Sequence, residues 1–188
     1  MKKAYIFLIH GFEETEMITC ADILRRGGIN AQLVSLENSK RVISSHRIPI
    51  EADILFPEVD SGAEALIFPG GGVVEGYMQT KGLAKFLMDY HDRGKIIAAI
   101  CAAPVFLYNC GLLNGKNAVC FPSLMSRMPK VNFSEDIVAV DGNVITSKGP
   151  ATSPFFALKI LEAICGKDTA DSVAEAFLVP LLQNIRGE

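Results

Sequence analysis

The sequence lacks the features of a membrane-spanning or secreted protein. Its longest nearly apolar run, residues 96–108, has thirteen residues and contains Pro104, whereas a spanning helix needs roughly twenty. A short apolar stretch at residues 4–9 follows two lysines. His10 and three glutamates come soon after it, and no small-residue cleavage site is present, so a signal peptide is not indicated. We therefore expect no membrane partner and a cytoplasmic location.

Neither sign of charge dominates the chain. Eighteen Lys and Arg residues stand against 21 Asp and Glu residues, which gives a net charge of −3. Because a nucleic-acid-binding domain carries an excess of basic residues on one face, we expect no nucleic-acid partner. The hydrophobic fraction of 49% is too high for an acidic disordered chain. No linker, repeat or low-complexity segment interrupts the sequence, which predicts a single domain over residues 1–188.

Disulfide and metal sites also lack their usual spacings. The cysteines are odd in number and include no Cys-x-x-Cys pair; they lie at positions 20, 101, 110, 120 and 165. This usage predicts free thiols in a reducing compartment. The three histidines, His10, His46 and His91, show no ligand spacing, so we expect no metal. His91 lies near the end of an amphipathic segment and is expected to be solvated.

Short apolar runs alternate with helical patterns along the chain. The predicted buried strands are residues 4–9, 31–36, 65–68 and 95–100, with a hairpin over residues 137–147. The predicted helices are residues 14–26, 81–93, 103–110 and 153–165, the last beginning with Ser153 as N-cap and Pro154 in the first turn. Apolar strands separated by helices are typical of a mostly parallel sheet covered on both faces. Such sheets bind ligands at the carboxyl ends of their strands.

Cys101 stands where a buried strand passes into a helix with no predicted loop between them. This pattern predicts a nucleophile elbow, in which the side chain projects above the sheet edge and the small residues Ala99 and Ala103 prevent clashes. The first N–H groups and the dipole of the following helix would favour a thiolate. Simple packing is the alternative for a lone cysteine in an apolar run. We expect packing for the other four cysteines.

Glu16 is the candidate carboxyl partner. On a helical wheel Thr15, Thr19 and Asp22 share the solvent face, and Glu16 falls roughly 90° away, toward the buried side. A carboxyl group in an apolar environment has a raised pKa and can pass a proton to and from a substrate. The alternative is a satisfied polar residue at a helix terminus. The neighbouring Glu13 and Glu14 are explained by the helix dipole alone.

A glycine run, Gly70-Gly71-Gly72, follows the third predicted strand. It is not a phosphate loop, because no Gly-Lys-Ser/Thr follows, and it is not a dinucleotide fingerprint, because Glu75 stands where that motif needs glycine. We therefore expect no cofactor. An ordinary turn would explain the run, but an oxyanion hole built from the N–H groups of Gly71 and Ala102 agrees better with a nucleophilic Cys101.

Five segments together resemble the ThiJ/PfpI superfamily, in the branch of the Parkinsonism-associated protein deglycase and bacterial YajL: residues 11–16, 24–29, 68–71, 98–104 and 146–152. The resemblance implies an α/β fold, a flavodoxin-like three-layer sandwich with a mostly parallel central sheet, and a homodimer. It makes Cys101 an easily oxidised elbow cysteine and Glu16 its partner. It places Gly70, Gly71 and Ala102 where the family binds a developing oxyanion.

The resemblance leaves three functions open. The first is a cysteine-dependent, cofactor-free glyoxalase or protein deglycase that acts on methylglyoxal or its adducts in stress defence. The second is a redox-sensing chaperone or regulator, and the third is a thiol hydrolase or amidotransferase relative. Ala102 and Phe121 stand where some members have histidine, which makes peptidase activity unexpected and places more acid–base work on Glu16. His46 or Arg47 stands near the place of an arginine found in several members.

Overall fold

The computed structural model describes residues 1–183, which contain eleven strands and seven helices. The predicted domain, residues 1–188, extends beyond this range. The strands are β1 (Lys3–Leu8), β2 (Asn30–Ser35), β3 (Arg41–Ile43), β4 (Pro49–Glu51), β5 (Ile54–Leu55), β6 (Ala65–Phe68), β7 (Ile96–Ile100), β8 (Asn117–Ala118), β9 (Asn132–Phe133), β10 (Val138–Asp141) and β11 (Val144–Ser147). The helices are α1 (Glu14–Arg26), α2 (Val74–Gln79), α3 (Leu83–Asp92), α4 (Pro104–Asn109), α5 (Ser153–Cys165), α6 (Lys167–Ala176) and α7 (Val179–Gln183).

Seven strands form the central sheet in the order β10-β11-β7-β6-β1-β2-β5. Every neighbouring pair is parallel except β10 and β11, which form the predicted hairpin around Gly142. All four residues of β6 are buried, as are four of the five in β7. Strands this apolar need cover on both faces, which explains why helices connect them. The predicted mostly parallel sheet is confirmed.

Helices flank the sheet in two layers. On one side α1 packs against α5, and these helices contact β2 and the β7–β11 end of the sheet. On the other side α3 contacts β7 and α2, and α2 contacts α4. A cluster of aromatic rings joins the sheet to this second layer, with Phe7 stacked on Phe68 at 5.0 Å between ring centroids and Phe86 of α3 packed edge-on against Phe7. No helix within residues 1–183 is both long and apolar enough to span a membrane.

Two sequence predictions need correction. Ser153 is not the N-cap of α5 but its first residue, and Thr152 precedes it, with its hydroxyl bound to Ser147 Oγ at 2.6 Å. The strand containing Ile100 does not pass directly into a helix either. Residues 101–103 form a turn, and α4 begins at Pro104, whose fixed φ suits a first helical position.

Candidate active site

The candidate site lies at the carboxyl edge of the sheet, where the loops after β1 and β6 are bonded to each other. The N–H of Glu13 donates to the carbonyl of Gly70 at 2.9 Å, and the N–H of Gly72 donates to the carbonyl of Gly11 at 3.1 Å. Phe12 and Gly71 form an isolated bridge between these bonds. The start of α1 and the glycine run are therefore held in one fixed arrangement.

Cys101 has the backbone conformation of a nucleophile elbow. Its φ of 63° lies in the left-handed region, which costs a non-glycine residue roughly 1–2 kcal/mol. Two hydrogen bonds hold it there: the N–H of Cys101 donates to the carbonyl of Ser147 at 3.0 Å, and the N–H of Phe121 donates to the carbonyl of Cys101 at 2.9 Å. The side chain is half-buried. The sheet and the segment after β8 thus hold the strained turn in place.

Glu16 is fully buried, with a side chain directed inward from the first turn of α1. Its Oε2 accepts a hydrogen bond from the N–H of Gly70 at 2.6 Å. Its Oε1 has no hydrogen-bond partner among the described residues. Glu13 has a more specific role than the helix dipole predicts, because it is the N-cap of α1 and its Oε2 accepts the Glu16 N–H at 2.8 Å.

The carboxyl group and the thiol perturb each other. Burial raises the pKa of Glu16 to about 7, although the Gly70 N–H and the Cys101 side chain lower it. Burial and the Glu16 carboxylate raise the pKa of Cys101 to about 12, although the N–H groups of Gly71 and Ala102, directed at the sulfur, lower it. Loss of water and the nearby carboxylate therefore oppose the expected thiolate, whereas the backbone N–H groups favour it.

Position 70 needs a glycine because the side chains of Cys101 and Glu16 leave no room for a Cβ there. A Cβ at position 70 would lie 2.6 Å from the Cβ of Cys101 and 3.0 Å from Oε2 of Glu16. Gly71 is required for a different reason. Its φ is 94°, and a Cβ there would lie 2.2 Å from the carbonyl oxygen of Gly11. The structure thus brings together the five predicted site residues; their chemical roles stay predictions.

The histidines take other positions. His10 Nδ1 accepts a hydrogen bond from the N–H of Ile43 at 3.0 Å, and His46 Nδ1 lies 2.8 Å from Glu14 Oε1. His91 is not fully solvated as expected, because its Nδ1 is buried without a hydrogen-bond partner among the described residues. None of the three is hydrogen-bonded to Cys101 within residues 1–183, so no histidine is placed there as the base that a thiol hydrolase would use.

One group of residues has metal-ligating atoms close together. Glu13, Glu14 and His46 offer atoms that lie within 4.8 Å of one another. Their hydrogen bonds explain this proximity without an ion, since Glu13 caps α1 and Glu14 pairs with His46 and Ser45. The absence of a resident metal stays a prediction.

A cavity beside the elbow contains residues that the sequence did not indicate. It has a volume of about 310 Å³ and adjoins Gly71 and Ala102; its other walls are Gly72, Val74, Glu75, Leu124 and Arg127. Leu124 and Arg127 belong to a 3₁₀ segment, Pro122–Arg127, which follows Phe121. The bond from the Phe121 N–H to the Cys101 carbonyl brings this segment to the site, and no local sequence pattern predicts it.

Comparison with known proteins identifies the family. The model of the DJ-1/PfpI family matches residues 2–163. The chain belongs to this family. Protein dj-1beta of Drosophila melanogaster is 36% identical over 95% of this chain and 97% of its own length. Protein DJ-1 homolog B of Arabidopsis thaliana is also 36% identical, over 90% of this chain, but this chain spans only 39% of that plant protein.

Solved structures agree with this assignment. Oxidized DJ-1 of Toxoplasma gondii superposes with a TM-score of 0.91 at 32% identity, covering 95% of this chain and 98% of that one. DJ-1beta of Drosophila melanogaster superposes with a TM-score of 0.90 at 35% identity, covering 94% and 97%. The ThiJ/PfpI resemblance and the flavodoxin-like sandwich expected from the sequence are confirmed.

Proposed function

We propose that the protein is a cysteine-dependent, cofactor-free glyoxalase or deglycase that acts on methylglyoxal or its adducts in stress defence. The observation that carries this proposal is the pairing of the strained Cys101 with the buried Glu16, one of whose carboxyl oxygens has no partner within residues 1–183. A pKa of about 7 suits a group that must both accept and donate protons at neutral pH.

The first step adds the Cys101 sulfur to the aldehyde carbon of methylglyoxal. As the carbon–sulfur bond forms, the proton of the Cys101 thiol passes to the ionised Glu16. The developing oxyanion accepts hydrogen bonds from the N–H groups of Gly71 and Ala102, beside Gly70. It then takes the proton from Glu16, which gives a hemithioacetal and returns Glu16 to the carboxylate form. The nucleophile is thus activated during the attack rather than before it.

Glu16 then moves a proton between adjacent carbons. As a carboxylate it removes the proton from the former aldehyde carbon, and it returns a proton to the neighbouring carbonyl carbon. This isomerisation converts the hemithioacetal into a thioester of lactate. Water cleaves the thioester, which releases lactate and restores the Cys101 thiol. No redox cofactor is needed, because one carbon is oxidised while its neighbour is reduced.

The test is turnover of methylglyoxal, followed through aldehyde loss and lactate formation. We expect Cys101→Ser to abolish turnover and Glu16→Ala to lower it at least about a hundredfold, the scale of one general acid–base group. Cys110→Ser is the matched control, since Cys110 is a half-buried free thiol outside the site, and it should retain turnover. Unchanged turnover in the folded Cys101→Ser protein would end the proposal.

A second candidate is redox sensing through Cys101. The N–H groups of Gly71 and Ala102 directed at the sulfur favour an anionic oxidation product such as a sulfinate. A related Toxoplasma gondii structure is described as oxidized. Mass spectrometry after mild peroxide separates the two candidates: oxidation confined to Cys101, in a protein without dicarbonyl turnover, supports a chaperone or regulatory role.

We also propose a homodimer in the cytoplasm. Five free cysteines agree with a reducing compartment. Exposed apolar side chains on α1 and α7, including Ile18 and Leu181, offer surface for a second copy.

A further inference from the structure

The cavity beside the elbow carries a positive charge that the proposed function does not use. Arg127 ends the 3₁₀ segment, its side chain is exposed, and it lines the cavity. Among the residues that the structure describes, Arg127 forms no salt bridge. The guanidinium of Arg127 is therefore available to a ligand.

The same cavity lies next to the residues that surround the Cys101 sulfur. Two of its walls are Gly71 and Ala102, whose N–H groups are directed at the Cys101 thiol. A molecule that fills the cavity therefore lies against Gly71 and Ala102 and against Arg127. The volume of about 310 Å³ is at the small end of the range for ligand pockets, so it suits a small molecule.

We propose that this cavity binds the carboxylate of the electrophile that Cys101 attacks, with Arg127 as the residue that selects for it. A planar guanidinium matches a carboxylate with two parallel hydrogen bonds, which gives both affinity and orientation. The substrate class is then a small aldehyde or ketone with a carboxylate, rather than a neutral dicarbonyl alone. This inference rests on the nucleophilic role of Cys101 in the proposed function.

Glu75 limits where the carboxylate of a ligand can lie in the cavity. It lines the same cavity, and its Oε1 accepts a hydrogen bond from Gln79 Nε2 at 2.9 Å. A second carboxylate near Glu75 is repelled, so the ligand's carboxylate is held on the Arg127 side. Removing the Glu75 charge should therefore strengthen the preference for an anionic ligand, whereas removing the Arg127 charge should weaken it.

Alkylation of Cys101 by iodoacetate and by iodoacetamide tests the inference without any turnover. In both reactions the sulfur displaces iodide from the same kind of carbon and the thiol proton is lost, but only iodoacetate carries a carboxylate. The ratio of the two rates therefore cancels changes in the ionisation of Cys101. We expect Arg127→Gln to lower the iodoacetate-to-iodoacetamide ratio about threefold or more at low salt, and Glu75→Gln to raise it.

Arg93→Gln is the matched control, because it removes the same charge just before β7, at the opposite end of the sheet, and it should keep the wild-type ratio. Peptide mapping by mass spectrometry assigns the product to Cys101, and circular dichroism confirms folding. A ratio that is the same in folded Arg127→Gln and wild type overturns the inference, whatever the enzyme turns over. If Arg127→Gln lowers the iodoacetate-to-iodoacetamide ratio but the wild-type protein does not turn over methylglyoxal, the carboxylate site is supported and the proposed function is contradicted.

Discussion

Cys101 and Cys20 both lie close to the carboxyl group of Glu16, but their surroundings differ. Both thiols have raised pKa values, and in both cases burial is the main cause and Glu16 contributes. Cys20 is completely buried one helical turn after Glu16, and its pKa lies well above the ordinary value. Cys101 is half-buried and has two backbone N–H groups directed at its sulfur.

The difference shows that proximity to Glu16 does not make a cysteine reactive. The carboxylate raises the pKa of both thiols and so opposes ionisation at both positions. What distinguishes Cys101 is its left-handed backbone, its partial exposure, and the N–H groups of Gly71 and Ala102, which donate hydrogen bonds toward its sulfur. In the proposed reaction Glu16 accepts the proton of the Cys101 thiol, whereas Cys20 is fully buried and closed to a substrate.

Removing the shared carboxyl group gives the largest expected effect on stability. The pKa of Glu16 is about 7 in the folded protein against an ordinary value of 4.5, so the native state holds more protons than the unfolded state between these pH values. Stability therefore falls as pH rises from about 4.5 through 7. For Glu16→Gln we expect this loss to disappear, which corresponds to about 2.5 kcal/mol in the change of unfolding free energy between pH 5 and pH 8.

Urea denaturation of wild type and Glu16→Gln at the two pH values measures this difference, and comparing slopes removes any constant cost of the glutamine. Glu51→Gln is the control, because Glu51 is exposed on β4. Equal pH slopes in wild type and Glu16→Gln would show that the carboxyl group is not buried as the structure has it.

The second prediction compares the two thiols directly. At pH 7.5 we expect iodoacetamide to modify Cys101 at least about tenfold faster than Cys20, because Cys20 reacts only when the structure opens. The advantage is moderate, since burial and the Glu16 carboxylate oppose ionisation of the Cys101 thiol. Peptide mapping over time gives both rates, and modification in concentrated urea is the control, where the two rates should converge. Faster modification of Cys20 in the native protein contradicts the comparison.

Much of this site could be predicted from the sequence, because its main features are local. The apolar strand before Cys101 and the small residues around it specify the elbow, and the helical period of α1 directs Glu16 inward. The protonation of Cys101 could not be predicted in this way. The pKa of its thiol is raised by burial under distant elements and by the carboxylate of Glu16, which comes from another part of the chain. A local sequence pattern predicts only the nearby N–H groups, which lower that pKa.

In the fold, too, elements with a strong local sequence pattern were predicted and elements without one were not. The strands of the central sheet with long apolar runs, such as β1 and β6, were predicted to within a residue or two. The β3–β4 hairpin was missed because its three-residue strands are largely exposed and have no apolar run, and α6 was missed because only Ala170 and Val173 are buried along its ten residues. Arg127 was missed because tertiary bonding alone brings it to the cavity. A single domain over residues 1–188 stays a prediction.

The smallest expected effect comes from truncating the unreactive thiol. Cys20→Ala deletes one buried sulfur from the packed face of α1, so we expect a loss of about 1 kcal/mol in unfolding free energy, similar to the removal of one buried methyl group. Methylglyoxal turnover should stay within about twofold of wild type, because Cys20 contacts no substrate. Urea denaturation and the lactate assay measure the two quantities on the same protein preparation. A large loss of turnover with a small loss of stability would mean that Cys20 takes part in the chemistry, and the contrast between the two cysteines would then fail.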